Sequence, residues 1–169
     1  MKLIEQNISG VFLIEHDVYR DERGAFSRSF CRRLLAEAGI YFSVCQGNIS
    51  ENLSANTLRG FHYQGLPSKE AKILTCVTGG VFDIVVDLRE DSPTYMKSVS
   101  IDLAEGQRRS LVVPAGCANA FLTSVDNTIV HYYMSDYFQP DTYKGFRYND
   151  PSFDVDWPRE PSVISERDR

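Results

Sequence analysis

The chain has 169 residues, of which 43% are hydrophobic and 12% aromatic, and its formal net charge is −5. A chain of this length buries roughly 70% of its unfolded surface, so one packed domain over residues 1–169 is expected without disulfide or metal staples. Acids and bases are interspersed, which argues against nucleic acid as the main partner, and no apolar run approaches the ~20 residues of a membrane-spanning helix.

The N-terminal stretch Met1-Lys2-Leu3-Ile4-Glu5 meets an acid too early for a signal peptide, so a cytoplasmic location is expected. Short β-forming runs follow. Residues 11–14 and 26–30 come first, then one helical window, Arg32 to Ala38, closed by Gly39. Residues 58–64 alternate in character. Residues 71–77 and 81–88 are two β-rich runs split by Gly79-Gly80, a punctuation that predicts a hairpin. Residues 98–103, 110–113, 120–123 and 128–133 continue the series. Four of the seven prolines lie beyond Gln139, so the tail should be irregular. Strands about ten residues apart with turn chemistry between them predict an all-β sandwich or jelly roll.

The four cysteines, Cys31, Cys45, Cys76 and Cys117, form no CxxC pair, so a structural zinc site is not expected. In a reducing compartment they should be buried thiols that serve packing. Only three histidines occur: His16, His62 and His131. His62 stands in Leu58-Arg59-Gly60-Phe61-His62-Tyr63-Gln64, a polar cluster around a group that titrates near neutrality. Such a cluster predicts an enclosed site for proton transfer.

Nine segments carry a more specific likeness: Asp21-Glu22-Arg23-Gly24, residues 58–64, residues 81–87, Ser92-Pro93-Thr94, Val113-Pro114-Ala115-Gly116, Asp136-Tyr137, Asn149-Asp150-Pro151, Asp156-Trp157-Pro158 and residues 164–168. In order and spacing, over essentially the whole chain, they resemble the dTDP-4-dehydrorhamnose 3,5-epimerase family. That family consists of cupin-type jelly rolls that epimerise nucleotide-linked 4-keto sugars. Carbons 3 and 5 flank the ketone, so each can lose a proton to give an enolate. Inversion needs a base on one side, an acid on the other, and donors for the oxyanion. No redox cofactor or metal is required.

The resemblance implies roles for particular residues. His62 is the base and Asp168 its carboxylate partner, which would fix the tautomer and stabilise the imidazolium. Tyr132 is the acid, six residues before Phe138, the aromatic that stacks on the nucleobase. Lys72 matches a lysine near the keto oxygen. Arg23, Arg59 and Arg167 match substrate-binding positions suited to diphosphate. Gln46 and Asn48 match polar nucleotide contacts. Strand alternation should turn His131 and Tyr133 away from Tyr132.

Four positions depart from the family pattern. Asn119-Ala120 replaces a common His-Gly, Phe138 a tyrosine, Arg28 a glutamate, and Tyr143 another acid. Asn119 can still donate a hydrogen bond but cannot carry a proton charge. The nucleotide, the sugar and the number of inverted centres therefore stay open at this level. A homodimer acting on a nucleoside-diphosphate 4-keto-6-deoxy sugar is expected. The competing readings are a metal cupin, which needs several histidines converging on one ion, a 3,4-ketoisomerase, and a non-catalytic sugar binder.

Overall fold

The computed structural model describes residues 1–169. The strands are β1 (Lys2–Glu5), β2 (Phe12–Glu15), β3 (Val18–Asp21), β4 (Gly24–Ser27), β5 (Gln46–Asn52), β6 (Thr57–Gln64), β7 (Lys72–Thr78), β8 (Gly80–Asp87), β9 (Ser98–Ala104), β10 (Arg109–Val113), β11 (Cys117–Thr123), β12 (Thr128–Met134), β13 (Tyr143–Gly145) and β14 (Val163–Ile164). One helix, α1 (Arg32–Glu37), precedes β5. None of this is helix long and apolar enough to cross a membrane.

The strands form a jelly roll of two sheets. The first runs β1-β2-β10-β7-β12-β5 and the second β13-β6-β11-β8-β9. Strands β3 and β4 make a separate hairpin. Pairing is antiparallel except where β14 joins β6 in parallel. The space between the sheets is filled by Ile8, Val11, Leu74, Val85, Leu103, Leu111, Phe121 and Val130, among others, all buried. Residues of opposite parity on the same strands serve the outer faces. Ile14, Ile73 and Val112 pack against Leu35 of α1 and Phe42. Phe61, Ile84, Val86, Ala118 and Ala120 are covered by Phe146, Phe153, Val155 and Trp157 of the proline-rich tail. Both faces of the central strands are therefore buried, which explains their near-continuous apolar runs.

The hairpin expected at Gly79-Gly80 does not form. Strand β7 lies between β10 and β12 in the first sheet, and β8 lies in the second. The two glycines carry the chain across the sandwich. Gly79 has φ +78, and a Cβ there would stand 2.4 Å from Thr128 Oγ1. Local turn chemistry fits a hairpin and a crossing equally well; the choice is made by which sheet offers each strand a partner. The tail is irregular as expected, apart from the short β13 and β14. Strand β5, with its Gly47 and alternating polar residues, has no counterpart among the expected runs.

The cysteines divide. Cys76 and Cys117 are buried, and burial pushes their thiols up to about 11 and about 12. Cys45 is exposed and Cys31 half-buried, which corrects the expectation that all four pack inside. Both lie outside the strands that fill the space between the sheets, in the segment around α1, where fewer layers cover them.

Candidate active site

A cavity of about 450 Å³ opens between the two sheets. Its volume lies in the usual range for small-molecule sites, roughly 300–1,000 Å³. His62 enters from β6 of the second sheet and Tyr132 from β12 of the first. Arg59, Lys72, Asn119, Phe138 and Arg167 share its wall.

Simple alternation would place Arg59 and His62 on opposite faces of β6. They share one because the ladder with β11 slips. Asn119 pairs with His62 but Phe121 with Arg59, so four residues of β6 oppose three of β11. Such a bulge re-aims side chains. Gly60 sits at the slip with φ +114, and a Cβ there would lie 2.6 Å from both the Asn119 carbonyl oxygen and the Ala120 Cβ. Only a glycine allows this approach of the two strands.

Asp168 arrives on the tail, just after β14. Its Oδ1 lies 2.7 Å from His62 Nε2, and its Oδ2 accepts from the Gly60 backbone N–H at 3.4 Å. Asp168 is 6% exposed. Accepting from Nε2–H leaves Nδ1 as the lone-pair nitrogen of His62. Burial lowers the His62 pKa below its ordinary value, against the opposing hydrogen bond and charge of Asp168. The ring is therefore a free base at neutral pH. Tyr132 is shifted the other way: burial and the charge of Glu70 raise its phenol, against Arg59. It stays protonated at neutral pH. His131 and Tyr133 turn to the far face, where their rings meet edge to face at 4.6 Å.

Lys72 Nζ stands 3.4 Å from the Glu70 carboxylate and 3.4 Å from the His62 carbonyl oxygen. Arg59 is oriented by Asn52 Oδ1 at 2.7 Å and the Glu51 carbonyl at 3.2 Å. Phe138 lies on a loop clamped from both sides. Its N–H donates to Gln46 Oε1 at 2.6 Å, while Gln64 accepts from Gln139 N–H and donates to the Tyr137 carbonyl. Tyr143 is the hub of the far wall. It meets Phe138 edge-on at 5.4 Å, lies 5.3 Å from the His62 ring, and carries the Arg167 guanidinium 4.0 Å over its face. Burial pushes its phenol up to about 12, against the charge of Arg167. The Asn119 side-chain amide meets Asp83 Oδ1 at 2.6 Å.

Three expected contacts are not in the cavity wall itself. Gln46 and Asn48 lie on the cavity-side face of β5, across the ladder from Met134 and Tyr132, with their side chains bonded to the Phe138 N–H and to Met134 Sδ. Arg23 is outside the cavity altogether, exposed at the β3–β4 turn and paired with Asp21. Glu70, Tyr143 and Asp83 were not among the expected site residues. Glu70 shares the spacing of two with Lys72 that marks one strand face. Asp83 is an acid inside the apolar run 81–86, a signal in itself.

The three histidines occupy three separate places. His16 is buried beside Ser110, His131 is on the outer face, and His62 alone meets the cavity. No group of three or more histidine, cysteine or acidic side chains converges as a metal-binding set.

The family model described as dTDP-4-dehydrorhamnose 3,5-epimerase matches residues 5–169. A dTDP-4-dehydrorhamnose 3,5-epimerase of Methanothermobacter thermautotrophicus is 34% identical over 99% of this chain and 91% of its own length. The crystal structure of a Bacillus anthracis dTDP-4-dehydrorhamnose 3,5-epimerase with TDP and PPi bound superposes with a TM-score of 0.96 at 35% identity, covering 99% of this chain and 96% of the other. A 3′-monoepimerase from Streptomyces bikiniensis in complex with dTDP-quinovose does so at 0.89 and 29% identity, over 96% and 83%. Matched by the family model over nearly its whole length and by relatives above 30% identity along almost all of it, the chain belongs to the dTDP-4-dehydrorhamnose 3,5-epimerase family.

Proposed function

We propose that this epimerase acts on a dTDP-linked 4-keto-6-deoxyhexose, with His62 as base and Tyr132 as acid. One observation carries the assignment: the imidazole and the phenol enter one cavity from opposite sheets. A hexose ring held between them offers one face to each group.

His62 Nδ1 takes the proton from the carbon next to the ketone, and the C–H electron pair moves into an enolate. Asp168 stabilises the imidazolium through Nε2–H. Lys72 donates to the enolate oxygen, and its own placement is supported by Glu70. Tyr132 returns a proton to the same carbon from the other side; water then reprotonates the phenolate and carries away the proton held by His62, restoring both groups. Arg59 and Arg167 suit the diphosphate, and Phe138 offers its ring to the base. The relatives include both a 3,5-epimerase and a 3′-monoepimerase, so one or both centres are candidates for inversion.

The reading extends to a cytoplasmic homodimer in deoxysugar biosynthesis. The β3–β4 hairpin exposes Tyr19 and Phe26 at 66% and 65%, and Arg23 stands at its tip. A hairpin with exposed aromatic faces and Arg23 at its tip fits docking on a second copy, which would bring Arg23 to the nucleotide there. The test is incubation with dTDP-4-keto-6-deoxyglucose in deuterium oxide, with NMR of the product. Deuterium at C3 or C5 with an inverted centre supports the epimerase. A ketone moved to C3 identifies a ketoisomerase instead, and an unchanged sugar a binder.

A further inference from the structure

Asp83 lies mid-strand in β8 with no exposure at all. One carboxyl oxygen contacts the Asn119 amide, and the other has no partner. Its neighbours across the ladders, Ile101 on β9 and Phe121 on β11, are apolar. Lys72, from β7, is the charged group that acts on it, and Lys72 is already held by Glu70. An ionised Asp83 would therefore be a buried charge with one neutral hydrogen bond, an arrangement that folded proteins avoid. A neutral acid has a proton to give instead, and the 2.6 Å contact with the Asn119 amide is close enough for donation in either direction. The two ends of a primary amide have the same shape, so a half-turn exchanges oxygen and nitrogen without moving anything else.

We propose that Asp83 is a neutral carboxylic acid whose hydroxyl donates to the Asn119 amide oxygen, so that the amide NH₂ faces the cavity as a donor. Asn119 is the cross-strand partner of His62, so this donor stands beside the base, where negative charge grows on the keto oxygen. Asp83 is thereby a positioning residue: it sets whether the wall offers a donor or an acceptor. Burial agrees, pushing the Asp83 carboxyl up to about 8 against the Asn119 bond and Lys72. Below that pH the acid donates and the NH₂ turns inward. Above it the carboxylate accepts only, claims the NH₂, and turns the amide carbonyl toward the developing oxyanion.

The kinetic consequence rests on the proposed epimerase reading; the protonation state does not. Infrared difference spectra of wild type minus Asp83→Asn, without substrate at pH 7, should contain the carbonyl stretch of a protonated carboxylic acid, lost on raising the pH well past 8. Asp83→Asn can still donate to Asn119, so it should keep turnover and remove the alkaline fall. Asp83→Leu, checked for folding by circular dichroism, should lose kcat about 100-fold with KM little changed, as expected for an oxyanion donor. Carboxylate bands alone at pH 7 would overturn the proposal, as would an alkaline fall shared by wild type and Asp83→Asn. If wild type turns over no 4-keto sugar, the epimerase reading fails while the spectra still decide the state of Asp83.

Discussion

The His62–Asp168 pair permits the most quantitative test. Asp168→Asn keeps the shape of the side chain and removes its charge. With Nε2 and Oδ1 2.7 Å apart, the ring and carboxyl charge centres are about 4 Å apart. At an effective dielectric of about 20 that separation gives roughly 4 kcal/mol of attraction to the imidazolium, present only after the base has taken its proton. Lost from the transition state, it amounts to about three decades in kcat. Burial and the charges of Lys72 and Arg167 would then act on His62 unopposed, so its pKa should fall further and the acid limb of kcat/KM should move to lower pH. The assay is deuterium uptake at C3 or C5 by NMR between pH 5 and 9, with circular dichroism on the variant. A plateau rate within about tenfold of wild type would refute the reasoning, because the ring would then not feel the charge.

Other expectations are more direct. His62→Ala should abolish deuterium uptake, whereas Tyr132→Phe should retain part of it and block inversion, since removing and returning the proton are separate tasks; equal loss of both in Tyr132→Phe would argue against a separate acid. Phe138→Ala should raise KM with kcat nearly kept, by the ~1–3 kcal/mol of one base–aromatic stack, and isothermal titration with dTDP reads this directly. Gly60→Ala should destabilise the fold by more than about 2 kcal/mol in urea melts, since its Cβ would meet the Asn119 carbonyl oxygen. His16 and His62 both have lowered pKa values, chiefly through burial. Below about pH 6.5 each binds more protons unfolded than folded, whereas Asp83, pushed up to about 8, holds its proton only in the native state and offsets one of them; in Asp83→Asn, which lacks that offset, Tm should fall as the pH is lowered through that region. A flat Tm from pH 7 to 5 would contradict it.

Much of the fold is written in local patterning. The runs near 72–78, 80–87, 98–104 and 128–134 are strands to within a residue or two, because β-forming residues fill them, on both faces in the central strand β8 and in strict alternation in the edge strand β9. What patterning could not supply is partnership. Gly79-Gly80 looks like a hairpin turn and is a crossing between sheets. The polar strand β5 has no apolar signature and exists because β12 offers it an edge. The same division holds at the site. His62, Tyr132 and Asp168 were legible through ordered motifs. The sharing of one face by Arg59 and His62 depends on a slip in the ladder that no alternation rule contains. Tyr143 and Glu70 acquire their surroundings only when β13 and the turn before β7 are folded over the cavity.

The path by which Asp168 reaches His62 has its own consequence. The tail crosses the outside of the second sheet as a strap of rings, with Phe146 stacked on Phe61 at 4.5 Å and Trp157 inclined to Phe61 at 5.9 Å, before β14 adds two residues to β6. That strap is held by aromatic packing and only short ladders on one face of the second sheet, so it can open as a local unit without the first sheet unfolding. Gentle heating or mild denaturant should peel it away while the barrel survives. Catalysis would then fail before any spectroscopic melting begins, as the base lost its counter-charge with the sugar pocket still standing.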